Sequence, residues 1–394
     1  MKSFEYTAPV KVHFGNGERK KIGEYIKNKY TNVLLITAEG PFRKNGLFQE
    51  IQKSLVDQGI TVHEMSDIES NPKLSSAREG RQVCIKNKVD CVIALGGGSV
   101  IDCAKTIAAA AKMDVDPYDL LWGERLPVTN ALPVVAVPTI AATGTEMNDF
   151  SVIVNDDTKE KFYCQTLFPE MAVLDPEITL SVPKNLTIWG IMDILSHIYE
   201  FYFNNCDASP TQTFVSESLI RATMAAAEKL HKDMQDVEAR GELLWCAALA
   251  WGGLTKVGRG DPDMACHGIE ESFSGYFDTH HGACLGVLTP RWMDHTIPHV
   301  PGPFARFAKH IFGVNNKDKE KAAYEGLELY HKWLKSIDAP NIFSDFSDID
   351  FNEEGFGIVA EHALKIYGGK VGNIYPFTEK DSIVAFLMKG LEKY

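Results

Sequence analysis

The segment from Ile188 to Phe203 carries a carboxylate and an imidazole four residues apart, Asp193 and His197, among Ile191, Ile194, Leu195 and Ile198. At helical spacing the two share one face. A lone carboxylate in such apolar company is costly, and either a hydrogen bond between the pair or a shared metal ion removes that cost. Further on, "CHGIEESFSGYFDTHHG" (266–282) gathers His267, His280 and His281, three of the twelve histidines in the chain. His267 falls in a helical pattern. His281 follows after the turn residues Gly275 and Asp278, so a helix, a turn and a second segment can bring both imidazoles to one point. Asp193, His197, His267 and His281 then form an O,N,N,N ligand set. Such a set suits zinc or ferrous iron with room for a substrate oxygen, whereas calcium and magnesium want more oxygen ligands.

A second kind of chemistry is written in "IALGGGSVIDCAK", which passes from strand to helix through Gly96, Gly97, Gly98 and Ser99. Small residues let an anion approach the backbone, and the positive end of the following helix faces it; Ser99 is the expected N-cap. A pyrophosphate fits there. The run is not the GxGxxG fingerprint, because Ile101 stands where the third glycine would be. Glu39, beyond the first clear strand, can accept from an adenosine 2′-hydroxyl and repel a 2′-phosphate, whereas Arg43 and Lys44 argue the opposite; NADH and NADPH both stay open. A further loop, "VPTIAATGTEMNDF", offers Thr139, Thr143 and Thr145 to a cofactor phosphate or ribose.

The elements that must position these residues alternate in the first half. Strands are expected at 32–37, 61–66, 90–97 and 131–139, and helices at 46–59, 74–88 and 100–112. Apolar strands alternating with helices predict a parallel sheet covered on both faces. Beyond Pro183 helical periods take over, from 186–204 to 379–392. The expected organisation is an α/β dinucleotide-binding domain over 1–183 and an all-helical, metal-binding domain over 184–394, with the small-molecule site in the cleft between them.

Composition narrows the function classes. The 394 residues are 45% apolar and 24% charged, as in a soluble globular protein, and the net charge of −13 argues against a nucleic-acid partner. The first residues lack the apolar run of a signal peptide, and each apolar window is broken too early for a membrane span. Eight scattered cysteines without CxxC spacing read as reduced thiols. A cytoplasmic protein without a membrane partner is expected.

Taken in order, "GGGSVIDCAK", "PTIAATGTE", Asp193-x3-His197 and His267-x13-His281 resemble the motifs of the iron-containing (group III) alcohol dehydrogenase family over essentially the whole chain. "LLIT…RKNGL", "IESNP" and "HGACLGVLTPRWM" look most similar to its butanol dehydrogenases and broad-range aldehyde reductases. The resemblance implies one divalent ion, Fe2+ or Zn2+, bound by Asp193, His197, His267 and His281. It also implies NAD(H) or NADP(H) as cofactor and a homodimer or larger assembly, for which "KVHFG" is a candidate pairing edge. By the same resemblance Gly97, Gly98, Ser99 and Asp102 belong to the cofactor turn and Thr139, Thr143 and Thr145 to the second cofactor loop. Lys161 matches a cofactor-contacting lysine and Leu180 a contact near the adenosine.

One position departs from the pattern. Relatives carry a histidine four residues after the first histidine of the last pair, and this chain has Glu271 there, with His280 as a further candidate for proton transfer. The expected reaction is hydride transfer between NAD(P)H and a small aldehyde or primary alcohol of the butanol type, the metal polarising the carbonyl. The rivals are a polyol dehydrogenase of the glycerol type, a sugar-phosphate cyclase and a non-catalytic dinucleotide or metal sensor. Trp251, Phe273, Tyr276 and Phe277 near the ligands favour a substrate less charged than the cyclase would take.

Overall fold

The computed structural model describes residues 2–38, 44–204 and 209–394. Glu39 and Arg43 lie outside the described residues.

The chain forms two compact units. One comprises Thr7–Pro183 with Gln235–Ala248; the other takes the described residues of Met1–Tyr6, Lys184–Met234 and Leu249–Tyr394. The first is built on strands β1 (Lys11–Phe14), β2 (Asn32–Ala38), β3 (Thr61–Ile68), β4 (Cys91–Gly96), β5 (Val134–Pro138) and, later in the chain, β8 (Met171–Leu174). They pair in the order β1-β8-β5-β4-β2-β3, each pair parallel. An antiparallel hairpin, β6 (Phe150–Val154) and β7 (Lys161–Gln165), stands apart from that sheet. The sequence reading passed over this hairpin and β8.

Alternation decides which face each side chain covers. Val33, Leu35, Ile93, Leu95, Val135 and Val137 pack with helix Leu47–Val56 through Phe48, Ile51 and Leu55. Leu34, Ile36, Val92, Ala94 and Ala136 pack on the opposite side with Ile101, Ala104 and Ile107 of helix Gly98–Met113. Both faces are dry, as the apolar strands predict. Because β4 and β5 are parallel neighbours, the glycine turn and the threonine loop emerge side by side at the carboxyl ends of the strands. That is where parallel sheets bind ligands.

The second unit is helical, with long helices from Lys184–Tyr202 to Lys380–Met388. The helical periodicity of the sequence extends over 235–257, but the helix there runs only over Val237–Ala250. Gly252 and Gly253 follow, and Gly253 takes a φ of +91°, which ends helical geometry there. Among the described residues, no helix is long and apolar enough to cross a membrane. Their seven cysteines are all buried and free.

Candidate metal centre

Helix Lys184–Tyr202 carries Asp193 and His197, and helix Ala265–Phe277 carries His267. Asp278 caps the latter in the left-handed conformation, φ 53°, and His281 opens the next helix, His281–Thr296. Gly282 makes the return possible: a Cβ there would lie 2.2 Å from the Trp189 carbonyl oxygen and 3.4 Å from Asp193 Cβ. The expected helix, turn and second segment are realised.

Three imidazole nitrogens surround one oxygen of Asp193. From Oδ1, His197 Nδ1 is at 3.6 Å, His267 Nε2 at 3.8 Å and His281 Nε2 at 3.5 Å. These spacings are too long for hydrogen bonds. They are close to the roughly 3.4 Å that separates neighbouring ligands around an ion with bonds of about 2.1 Å. Asp193 Oδ1, His197 Nδ1 and His267 Nε2 are buried without hydrogen-bond partners, and the three atoms lie within 4.8 Å of one another. His281 joins this triad through Asp193. The donor set therefore fits a divalent ion bound by nitrogen and oxygen.

Two carboxylates that the sequence reading passed over hold the rings. Glu200 Oε1 accepts from His267 Nδ1 at 2.5 Å, and Glu270 Oε2 accepts from His281 Nδ1. Each bond leaves Nε2 of its histidine facing Asp193. Their signal was present as "HIYE" (197–200) and "HGIE" (267–270), a histidine followed three residues later by glutamate on each helix.

Burial and charge pull the protonation states apart. Burial pushes the Asp193 carboxyl up, but His197, His281 and His267 together hold it well below the usual range. Burial pushes His197 down to about 3. Against burial, Glu200 and Asp193 hold His267 well above an ordinary histidine, and Glu270 and Asp193 hold His281 at about 9. Positive charge is favoured around Asp193, which protons satisfy when no metal is bound and for which a cation competes.

Around the cluster, the His197 ring stacks on that of His267, centroids 4.6 Å apart, and Trp251 lies 4.9 Å from His197. Glu271 is 9% exposed and accepts from Tyr367 Oη at 3.0 Å, a contact made by a residue the sequence reading did not single out. His280 packs its ring on Trp189, centroids 4.6 Å apart.

In the α/β unit the structure corrects one local expectation. Gly97, not Ser99, is the N-cap: the helix starts at Gly98, and the Ser99 hydroxyl donates to the Ser70 carbonyl instead. Nor does this turn need left-handed glycines, since Gly97 has φ −77° and ψ −172°. Close packing accounts for them. A Cβ on Gly98 would lie 2.6 Å from the Thr143 side chain, and one on Gly96 would lie 2.4 Å from Val100.

The remaining candidates there bond mainly to the protein. Thr139 N–H donates to Gly96 O at 3.0 Å, and Thr143 Oγ1 accepts from Thr145 N–H at 3.3 Å. Thr145 Oγ1 donates to Asp102 at 2.5 Å and accepts from Lys105 Nζ at 2.6 Å. Asp102 also accepts from Val152 N–H at 3.1 Å, tying the turn to the hairpin. The buried Lys105 ammonium spends its other protons on Asn148 Oδ1 and Phe150 O, at 3.0 and 2.6 Å. Lys161 Nζ reaches Asn71 Oδ1 at 3.4 Å, and the Leu180 carbonyl accepts from Gln235 at 3.4 Å.

Comparison with known proteins adds independent findings. Residues 9–176 match the model for iron-containing alcohol dehydrogenase, and residues 187–390 match that for the C-terminal part of the Fe-containing alcohol dehydrogenase family. The chain is 37% identical to a probable NADH-dependent butanol dehydrogenase of Bacillus subtilis, over 97% of this chain and 98% of the relative. It is 33% identical to NADH-dependent butanol dehydrogenase A of Clostridium acetobutylicum, over 98% and 99%. The crystal structure of an NADH-dependent butanol dehydrogenase A from Thermotoga maritima superposes with a TM-score of 0.93 at 36% identity, covering 100% of this chain and 99% of the other.

Proposed function

The chain belongs to the iron-containing alcohol dehydrogenase family, and from that premise we infer that it is a metal-dependent, NAD(P)H-linked oxidoreductase reducing small aldehydes such as butanal to primary alcohols. The observation that carries the reading is the meeting of Asp193, His197 and His267 in one buried cluster, with His281 3.5 Å from the same carboxylate oxygen. Bound there, Fe2+ or Zn2+ supplies a Lewis acid for a substrate oxygen, and the nicotinamide cofactor supplies or receives the hydride.

This chain's own residues do the rest. Asp193, His197, His267 and His281 hold the ion, while Glu200 and Glu270 fix the tautomer and angle of two of the imidazoles. Trp251 presents an apolar wall against His197. We assign proton delivery at the product oxygen to Glu271, oriented by Tyr367, in preference to His280, whose ring packs on Trp189. Residues 1–183 hold the dinucleotide and 184–394 the ion. The start of helix Gly98–Met113 receives the pyrophosphate. Asp102, Thr139, Thr143 and Thr145 shape the loops around it, with Lys161 and Leu180 as further contacts. NADH is the preferred form, supported by the butanol dehydrogenases of similar sequence that are named for it. The sheet edge at β1 offers a surface for self-pairing into a homodimer, which sedimentation tests.

The decisive experiment mixes metal-loaded protein with butanal and either reduced cofactor, with and without a chelator. Chelator-sensitive loss of the reduced-nicotinamide absorbance is expected, faster with NADH. No loss with either cofactor would sink the reading.

A further inference from the structure

Behind the bond from His267 to Glu200 lies a small cavity, about 10 Å³ in volume, walled by the helices that carry Asp193, His267 and His281. Glu200, Thr289 and Trp292 line it and are only 3–4% exposed. Each presents a buried polar atom without a hydrogen-bond partner: Glu200 Oε2, Thr289 Oγ1 and Trp292 Nε1. Tyr199 Oη in the wall is likewise without a hydrogen-bond partner, its ring packing edge-on against Tyr330, whereas two further polar groups are engaged. Ser196 Oγ donates to the Asp193 carbonyl at 2.8 Å, and Asp263 accepts from the backbone N–H groups of Ala265, Asn373 and Ile374.

The open atoms of Glu200, Thr289 and Trp292 have complementary demands. Trp292 Nε1–H can only donate, an ionised Glu200 oxygen can only accept, and the Thr289 hydroxyl can do either. Buried polar groups seldom go without partners. A molecule that satisfies all three must both accept and donate. It must also fit a space near the roughly 10–15 Å³ that admits one water. A bare cation fails, because an indole N–H can only donate and cannot ligate it; an apolar occupant satisfies none of the three.

We propose that this cavity binds one structural water that accepts from Trp292 and donates to Glu200 Oε2, with Thr289 as third partner, making Trp292 and Thr289 positioning residues for the metal centre. The chain of contacts runs from Trp292 through the water to Glu200, then to His267 and the ion. The carboxylate that orients His267 is thereby held at both oxygens, and the imidazole cannot swing with it. This role rests on the metal reading given above, whereas occupancy of the cavity does not.

Three measurements test it: a wild-type crystal structure resolving ordered waters, rates of Fe2+ or Zn2+ loss to a chelator, and melting temperatures of the metal-free proteins. A water peak within hydrogen-bond reach of Glu200 Oε2 and Trp292 Nε1 is expected. Trp292→Phe keeps the ring and removes the donor, and should speed metal loss about fivefold, below the roughly 10–100-fold expected of partners bonded directly to a ligand. Thr289→Val should speed it about threefold. The double variant should fall short of the product, since both act through one molecule. A merely structural role would instead lower the metal-free melting temperature and leave the rate of metal loss unchanged, which would overturn the proposal, as would a cavity without density. If Trp292→Phe does not fold, Thr289→Val and the wild-type map decide. Wild-type protein that takes up neither Fe2+ nor Zn2+ would sink the metal reading and the positioning role with it, while the map alone still judges the water.

Discussion

Glu200 lies three residues after His197 on one helix, yet the imidazole it holds is that of His267 on another, with Oε1 2.5 Å from Nδ1. The arrangement repeats: Glu270, three residues after His267, holds His281. Each of the two helices thus supplies a candidate ligand together with the carboxylate that orients the candidate ligand of the next. A histidine that donates from Nδ1 to a carboxylate keeps Nε2 open for a metal.

Removing one of these carboxylates should therefore loosen the ion without removing a ligand. Glu200→Ala is expected to weaken metal affinity by about 10–100-fold, and Glu200→Gln by less, since its amide oxygen still accepts. Chelator competition followed by elemental analysis measures both. Wild-type affinity in Glu200→Ala would show that the contact does not tune the site.

Gly282 tests the packing beneath the cluster. A methyl group there meets the Trp189 carbonyl oxygen at 2.2 Å, so the two helices must separate and carry His281 from Asp193. Gly282→Ala should cost about 1–3 kcal/mol of stability and lower bound metal. Gly302→Ala, where a Cβ meets nothing within 4 Å, serves as control. Equal denaturant midpoints and metal contents in the two variants would contradict this account.

Much of this was legible in the residues because its signals are local and periodic. Parallel strands such as β2 and β4 carry continuous apolar runs, VLLI and CVIAL, and Asp193 and His197 share a face by spacing alone. Glu200 and Glu270 were not read, because each serves a histidine on a different helix and only the packing reveals the pairing. The same holds for Tyr367, remote from Glu271 in sequence but hydrogen-bonded to it. Ser99 reads as a cap because it is a good N-cap residue, but it lies two positions after the actual cap, Gly97, where Ser70 takes its hydroxyl. The hairpin β6–β7 escaped because it is short, mixed in polarity and outside the main sheet.

Glu146, beside the glycine-turn network, gives a pH prediction. Burial pushes its carboxyl up to about 7, although Lys105 draws it down. The native protein then keeps this proton between about pH 4.5 and 7, where the unfolded chain releases it. The contribution to stability is present in full below pH 4.5 and is lost as pH rises through 7. The change is on the order of 3 kcal/mol. Glu146→Gln should flatten that slope relative to wild type in denaturant titrations at several pH values. Parallel pH profiles for the two proteins would refute the assignment.

The departure at Glu271 can be tested against the proton route directly. Its carboxylate is bonded by Tyr367 at 3.0 Å and is nearly buried, so it is held in one orientation. If it delivers the proton, Glu271→Gln should lower kcat about 100-fold while leaving metal content and KM for the aldehyde little changed. Tyr367→Phe removes only the orienting bond and should cost about tenfold or less. Glu271→His reinstates the imidazole that the resemblance places there and should retain more activity than Glu271→Gln. Steady-state rates across pH, normalised to bound metal, separate these cases. A Glu271→Gln enzyme with unchanged kcat and an unchanged pH profile would move the proton path to His280 or to solvent, and would leave the bond from Tyr367 a packing contact.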